Sequence, residues 1–348
     1  MMHRFIRTGL YGLLAILLAT GCGKDLPLPD VNGERKITLL GELIAGDSIY
    51  FRAGISIPLS GKSVLSFQLP VGMTGVVQDG DGAATALNTY VDTSSYKLYT
   101  LPYFHSKKIN DGNVYTVSCN YAELGTASAT VKIPAQIDAL ITDTSSGKYA
   151  NDSVWKIKVL IKDPANTANY YVIEAVKQLM NVKGYFMNLG AWQLIDDNRQ
   201  AYETLKASGN VVTKFDTTYY REYIRNAIYT ADPNTENVYD AGSFTPSKRV
   251  LLKDLRFNGN LYETDVYVVK NSSTVFSDAP KGRIIIYVKS VTAEYYKFLK
   301  AYETYSSSTG FTTTEQPVKM EGNVQNGMGI VGGVSQIKYI FLKDNWNY

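Results

Sequence analysis

From about Glu34 to Pro134 the apolar residues come every second position, in short stretches broken by turn formers. Ile49, Phe51, Ala53, Ile55 and Ile57 interleave with Tyr50, Arg52, Gly54 and Ser56. Gly46-Asp47, just upstream, can fold this stretch back onto one bearing Ile37, Leu39 and Leu43. Val114 to Tyr121 keeps the same rhythm, as do Ala127, Ala129, Val131 and Ile133 before Pro134. A period of two puts one set of side chains on a buried face and the other in water. Such segments, separated by Gly, Asp and Asn clusters, predict an immunoglobulin-like antiparallel β-sandwich over residues 35–137.

The Ser-, Thr- and Asp-rich stretch from Asp138 to Ala150 reads as a linker or long loop. Alternation then resumes. Trp155, Ile157, Val159 and Ile161 alternate with Lys156, Lys158 and Lys162, and Asp163-Pro164 closes the run. Further strands are expected at Tyr170–Val176, Val250–Leu255, Leu261–Lys270, Arg283–Lys289 and Ile337–Leu342. Between Lys177 and Asn237 the signals are mixed, with a short helix near Gln200–Ala207. A clearer helix spans residues 291–305. Val291, Tyr295, Phe298, Tyr302 and Tyr305 recur at helical spacing, with Lys297, Lys300 and Glu303 facing water and Thr292 or Ser290 as cap. The expected fold is mainly β: the sandwich, then a second β-rich domain over 138–348 with at least one packed helix.

The first residues follow a different rule. His3, Arg4 and Arg7 precede an apolar run from Leu10 to Leu18, then Ala19-Thr20-Gly21-Cys22. A basic start, a short apolar stretch and small residues form a secretory signal over 1–21. The run is shorter than the roughly 20 residues a spanning helix needs. The four residues ending at Cys22 resemble a bacterial lipobox, with Ala19 where Leu is usual. Cys22 is therefore the expected lipidation site and mature N-terminus, and residues 22–34 its tether; the alternative is an ordinary cleaved signal with an incidental Cys. Lipidation makes the expected protein anchored but water-facing.

The whole chain carries a formal +3, of which Arg4 and Arg7 supply two, and no charge run stands out. No electrostatic footprint for nucleic acid exists. Tyr is abundant at 27 residues, which suits half-buried strand faces first and sugar- or protein-binding surfaces second. With Cys22 acylated, Cys119 has no disulfide partner. It shares a strand face with Tyr115, Val117 and Tyr121, so it reads as a small core residue.

Candidate chemistry is sparse. Gly327-Met328-Gly329-Ile330-Val331-Gly332 matches G-x-G-x-x-G in form. It follows a helix and leads to a strand, the reverse of a dinucleotide site, and reads as a Gly-permitted chain reversal. Asp79-Gly80-Asp81-Gly82 invites a calcium reading, but Tyr90 stands where a calcium loop has its bidentate Glu, so a turn is expected. Asp196-Asp197 reads as a solvated loop pair. His105 is the one histidine beyond the signal, beside Lys107-Lys108, and reads as an exposed loop residue. No Gly-x-Ser-x-Gly elbow accompanies it. No catalytic residue, cofactor or metal is expected.

The last third resembles a known family. Tyr295-Tyr296-Lys297-Phe298-Leu299, a polar loop with Pro317, and Asn323-Val324-Gln325-Asn326-Gly327-Met328-Gly329-Ile330-Val331-Gly332-Gly333 are similar to the domain-of-unknown-function family 4249 of Bacteroidota lipoproteins. Asp254-Leu255-Arg256-Phe257-Asn258-Gly259, Tyr170-Tyr171 after Asp163-Pro164, and Ile133-Pro134 fit in order. Val331 and Val334 depart from the aromatics expected there. The resemblance implies an outer-membrane, lipid-anchored protein at the cell surface, with the periplasmic face as the alternative. It further implies a non-catalytic accessory to a TonB-dependent transporter, binding that transporter, a small nutrient, or both. An adhesin or envelope-structural role is the second reading and a surface hydrolase the third.

Overall fold

A computed structural model describes residues 34–56, 72–91, 102–236, 246–270, 282–307 and 320–343; at 89–91, 102–107, 220–223, 306–307 and 342–343 it describes the backbone alone. The signal, Cys22 and the tether up to Gly33 lie outside these residues. The first strands are β1 (Ile37–Ile44), β2 (Ser48–Ile55), β3 (Thr74–Asp79), β4 (Ala84–Val91), β5 (Pro102–Lys108), β6 (Val114–Tyr121) and β7 (Gly125–Lys132). There follow β8 (Asp138–Tyr149), β9 (Asp152–Lys162), β10 (Tyr170–Asn188), β11 (Ala191–Leu194), helix α1 (Arg199–Ala207), β12 (Thr213–Arg225), β13 (Ile228–Tyr229) and β14 (Val250–Lys253). The chain continues through β15 (Leu261–Val269), β16 (Gly282–Val291), helix α2 (Ala293–Ser307) and β17 (Gly327–Lys343).

The fold is mainly β, with sandwich-like sheets. Ile37, Leu39, Phe51, Val117, Cys119, Ala129 and Val131, the inward set of the alternation read above, form one core with Val77 of β3. One neighbour of that core comes from far away in sequence. β17 lies parallel to β1, with Ile37 opposite Gly327 and Ile44 opposite Val334, and Val331 enters the same core. β16 pairs antiparallel on the other side of β17, and β10 follows it. The described strands thus run β11-β10-β16-β17-β1-β2-β5-β4-β3-β6-β7 in one continuous sheet, with β12 and β14 also on β10.

The first part of β10, Tyr171–Val176, is buried on both faces, which removes the need for alternation there; from Lys177 onward the strand alternates. Tyr171, Ile173 and Ala175 pack against a second sheet, ordered β13-β15-β9-β8, through Ile157, Val159, Ile161, Val266 and Val268. On its opposite face Val172 joins Leu251, Tyr295, Tyr296, Leu299, Ile330 and Val334 beneath α2.

Several expectations shift. Asp138–Tyr149 is no loop: it is an edge strand hydrogen-bonded to β9, from Asp138 opposite Lys162 to Tyr149 opposite Asp152. Its polar residues reflect an edge position, where most of the strand meets water. Gly327–Gly333 is extended strand and not a chain reversal. His105 lies on β5, opposite Tyr50 and Asn88, and not in a loop. Val291 ends β16 before α2 begins. The buried face of α2 is Tyr295, Tyr296 and Leu299, whereas Tyr302 and Tyr305 are exposed. Thr292 opens α2 through its carbonyl, which accepts the Tyr296 N–H at 2.9 Å, but its hydroxyl caps nothing.

Candidate functional site

The densest chemistry among the described residues lies where β1, β10, β16 and α2 meet. Glu174 sits near the start of β10, its side chain 3% exposed, and accepts from three cations. Arg249 Nε lies 2.7 Å from its Oε1, Lys289 Nζ 3.3 Å from its Oε2, and Arg225 Nε 3.4 Å from Oε1. Lys289 also reaches Glu42 of β1 at 3.0 and 3.1 Å. The Tyr295 hydroxyl donates to Glu42 Oε1 at 2.6 Å. Arg249 turns its Nη1 to Glu303 of α2, whose other oxygen accepts the Lys248 N–H at 3.1 Å. Three carboxylates therefore meet three cations.

Burial by itself would raise the Glu174 carboxyl. The charges of Lys289, Arg225 and Arg249 outweigh it and hold the group far below the usual carboxylate range. Burial would likewise lower Lys289, but Glu174 and Glu42 keep it above an ordinary ammonium. The Tyr295 hydroxyl is pushed up by burial, then by Glu42 and Glu174. A general acid or base must exchange its proton near working pH. Glu174 and Lys289 are driven away from that range, so the cluster acts as electrostatic fastening. The sequence does not set the pair apart: β10 also carries Lys177 and Lys183, and β16 also carries Arg283. Glu303, expected in water, is instead the partner of Arg249.

The motif residues also spend their chemistry internally. Asp163, buried, accepts from the Tyr171 hydroxyl at 2.5 Å, the Gly259 N–H at 2.8 Å and Asn169 Nδ2 at 3.2 Å. Asp254 Oδ2 accepts the Asn169 N–H at 2.7 Å. Asp163-Pro164, Tyr171 and the Asp254–Gly259 turn, distant in sequence, thus form one knot. Gly259 has φ +76°, and a Cβ there would lie 2.8 Å from that of Ala165. The second motif closes the sandwich. Asn323 holds Val331 at both its N–H (2.9 Å) and its carbonyl (2.8 Å), while Gln325 and Ser128 of β7 exchange backbone bonds at 2.7 and 3.1 Å. A side chain on Gly332 would collide with the Tyr295 ring.

The remaining candidates separate. Cys119 is fully buried, and burial pushes its thiol up to about 11. Asp79-Gly80-Asp81-Gly82 is a turn from β3 to β4, in which the Ala83 N–H donates to Asp79 Oδ1 at 3.0 Å and the Gly82 N–H to the Asp79 carbonyl at 2.9 Å. Asp196 and Asp197 are exposed just before α1. No group of three or more His, Cys, Asp or Glu gathers to hold a metal ion among the described residues. Nor does any described helix have the length and apolarity to cross a membrane, which leaves strand-built crossing untouched.

Comparison with curated proteins gives no match. A family model does match, over residues 72–340, and its span takes in the Asp163–Asp254 knot, α2 and the glycine-bearing half of β17. With most of the chain inside that span, the protein belongs to the family described as domain of unknown function DUF4249.

Proposed function

We propose that the protein is a non-catalytic outer-membrane lipoprotein, held by acyl chains on Cys22, that serves a TonB-dependent nutrient transporter as an accessory binding protein at the cell surface. The observation that carries this reading is the N-terminus: a basic start, a short apolar run and Ala19-Thr20-Gly21-Cys22. Two or more acyl chains anchor a protein durably, because each buried methylene contributes about 0.8 kcal/mol. The fold supports the reading from another side. The residues that carry the resemblance, Asp163, Tyr171, Asp254–Gly259, Asn323 and Gly332, serve packing and chain crossing, which suits a scaffold that presents a surface. Its partners would be the membrane through Cys22, the transporter and a small nutrient.

Two measurements test the two halves of the reading. Cys22→Ser should move the protein from the envelope pellet to the soluble fraction, and retention in the pellet refutes the anchor. Purification from detergent-solubilised outer membrane should bring a transporter with the chain. Recovery of the chain alone refutes the accessory role and favours an adhesin or envelope-structural one.

A further inference from the structure

The far end of β10 forms with β11, β12 and α1 a small unit with its own core of Phe186, Ile195 and Tyr202. Phe186 meets the Tyr202 ring edge-on at 5.6 Å, so α1 backs one face of the three strands. At the tip, Leu189-Gly190 joins β10 to β11, with Asn188 opposite Ala191. Leu189 has φ +49° and Gly190 φ +80°, the signs of a type I′ hairpin turn. That turn favours Asn, Asp or Gly. Here its first central residue is leucine, in a backbone conformation L side chains rarely adopt, and it is 98% exposed. Neither local propensity nor burial accounts for it.

Polarity is graded behind the tip. Val212, 58% exposed, lies beside it, its carbonyl accepting the Met187 N–H at 2.9 Å. Met187 pairs with Trp192, which is 41% exposed. Two residues further back, Tyr185 is flanked by Leu194 and Lys214, and two beyond that Lys183 faces Asp216. At roughly 3.3 Å per residue the grade from Leu189 to Lys183 covers about 20 Å. The Lys214 ammonium rests over both aromatic rings, 4.8 Å from Trp192 and 5.1 Å from Tyr185. Neither tip loop, 188–191 or 208–212, contains a charged residue.

We infer that this tip dips into the headgroup–acyl boundary of a phospholipid bilayer, with Leu189 and Val212 deepest, Trp192 and Tyr185 at headgroup level, Lys214 against lipid phosphates, and Lys183 with Asp216 in the water above them. The order of side chains along the strands carries the assignment. Aliphatic residues at the tip, then aromatic rings with Lys214 beside them, then a level of mixed charge where Lys183 stands with Asp216 and the exposed Asp196-Asp197, follow the order in which a bilayer edge changes from hydrocarbon through headgroups to water. The hairpin is backed by α1 through Phe186 and Tyr202, so it is shaped before contact. It needs no acyl chain on Cys22, although it would act beside one.

The test uses the acylated protein reconstituted into vesicles of phosphatidylethanolamine and phosphatidylglycerol, with an environment-sensitive fluorophore on Leu189→Cys. A second label on Leu140→Cys, exposed on β8, is the control. Emission at 189 should shift to the blue and be quenched by brominated acyl chains, while that at 140 should not. Emission at 189 unchanged from buffer overturns the inference, as does a change that appears only when membrane proteins are added, which would give the tip to a protein pocket. Leu189→Asn, made in the Cys22→Ser chain, supplies a readout free of labelling. Vesicle binding should fall about tenfold, the scale of one Leu side chain leaving a hydrocarbon environment, while the unfolding midpoint rises. A leucine that served only the fold would give a lower midpoint and unchanged binding. Retention of Cys22→Ser in cells reports on the anchor and depth at 189 on the tip, so either can fail without the other.

Discussion

The ring of Tyr295 rests against the backbone of Gly332, so closely that no side chain fits between them. Tyr295 belongs to α2 and Gly332 to β17, and the Tyr295 hydroxyl is held in turn by Glu42 of β1 at 2.6 Å. Helix, last strand and first strand therefore meet in one contact, and the ring, fixed at its far end, has little room to yield.

Gly332→Ala should accordingly destabilise the fold. Overpacking a filled site costs about 1–3 kcal/mol, and the expected loss lies towards the top of that range. Urea unfolding followed by tyrosine fluorescence measures it. A midpoint equal to that of the wild type would show that α2 can lift off the sheet.

Glu174→Gln leaves Lys289 and Arg249 buried without their shared counter-charge. Breaking a buried pair in this way costs about 3–5 kcal/mol. The cost also has a pH signature. Glu174 has a folded-state pKa far below its unfolded value of roughly 4.3. Its stabilisation is fully present above that unfolded value and is lost as pH falls towards the folded one. Unfolding free energies of wild type and variant should differ by a constant amount from pH 8 to 5 and converge in acid.

Asp254 behaves in the opposite sense. Burial, followed by the nearby Asp163, raises its carboxyl, against the hydrogen bond from Asn169. Its ionised form therefore weighs against the fold, and the handicap disappears as pH falls. Asp254→Asn keeps an oxygen for the Asn169 N–H and removes the charge. It should raise the thermal midpoint at pH 7 and leave it unchanged at pH 3. A lower midpoint at pH 7 would mean the charge itself is needed.

Cys119 should be silent. Its thiol is buried beside Val117 and Ala127 and, with a value of about 11, stays protonated at neutral pH. The folded Cys22→Ser chain should take up no Ellman reagent at pH 8 and one equivalent after unfolding in guanidinium. Rapid reaction in the folded state would contradict the core position.

Period-two patterning located β1, β2, β6 and β7 and the inward set Ile37, Leu39, Phe51, Val117 and Val131, because alternation is a local property and burial follows from it; it named no strand at β3, β4 or β5. Helical spacing located α2 to within two residues. The pattern misled where neighbours override local sequence. Asp138–Tyr149 looks like a loop because an edge strand keeps its polar residues in water, and Gly327–Gly333 looks like a turn because crowding by Tyr295, Val131 and the backbone of β1 excludes side chains.

Tertiary structure alone decided the rest. That β17 crosses back to lie parallel to β1 depends on which long loop closures the whole core rewards, and no short window of residues contains that information. The same holds for the ion cluster, whose members come from positions 42 to 303 and carry ordinary solvent-seeking side chains. Whether such a residue pairs inside or points to water is settled by the desolvation it suffers and the partners it meets, and both exist only once the chain has folded.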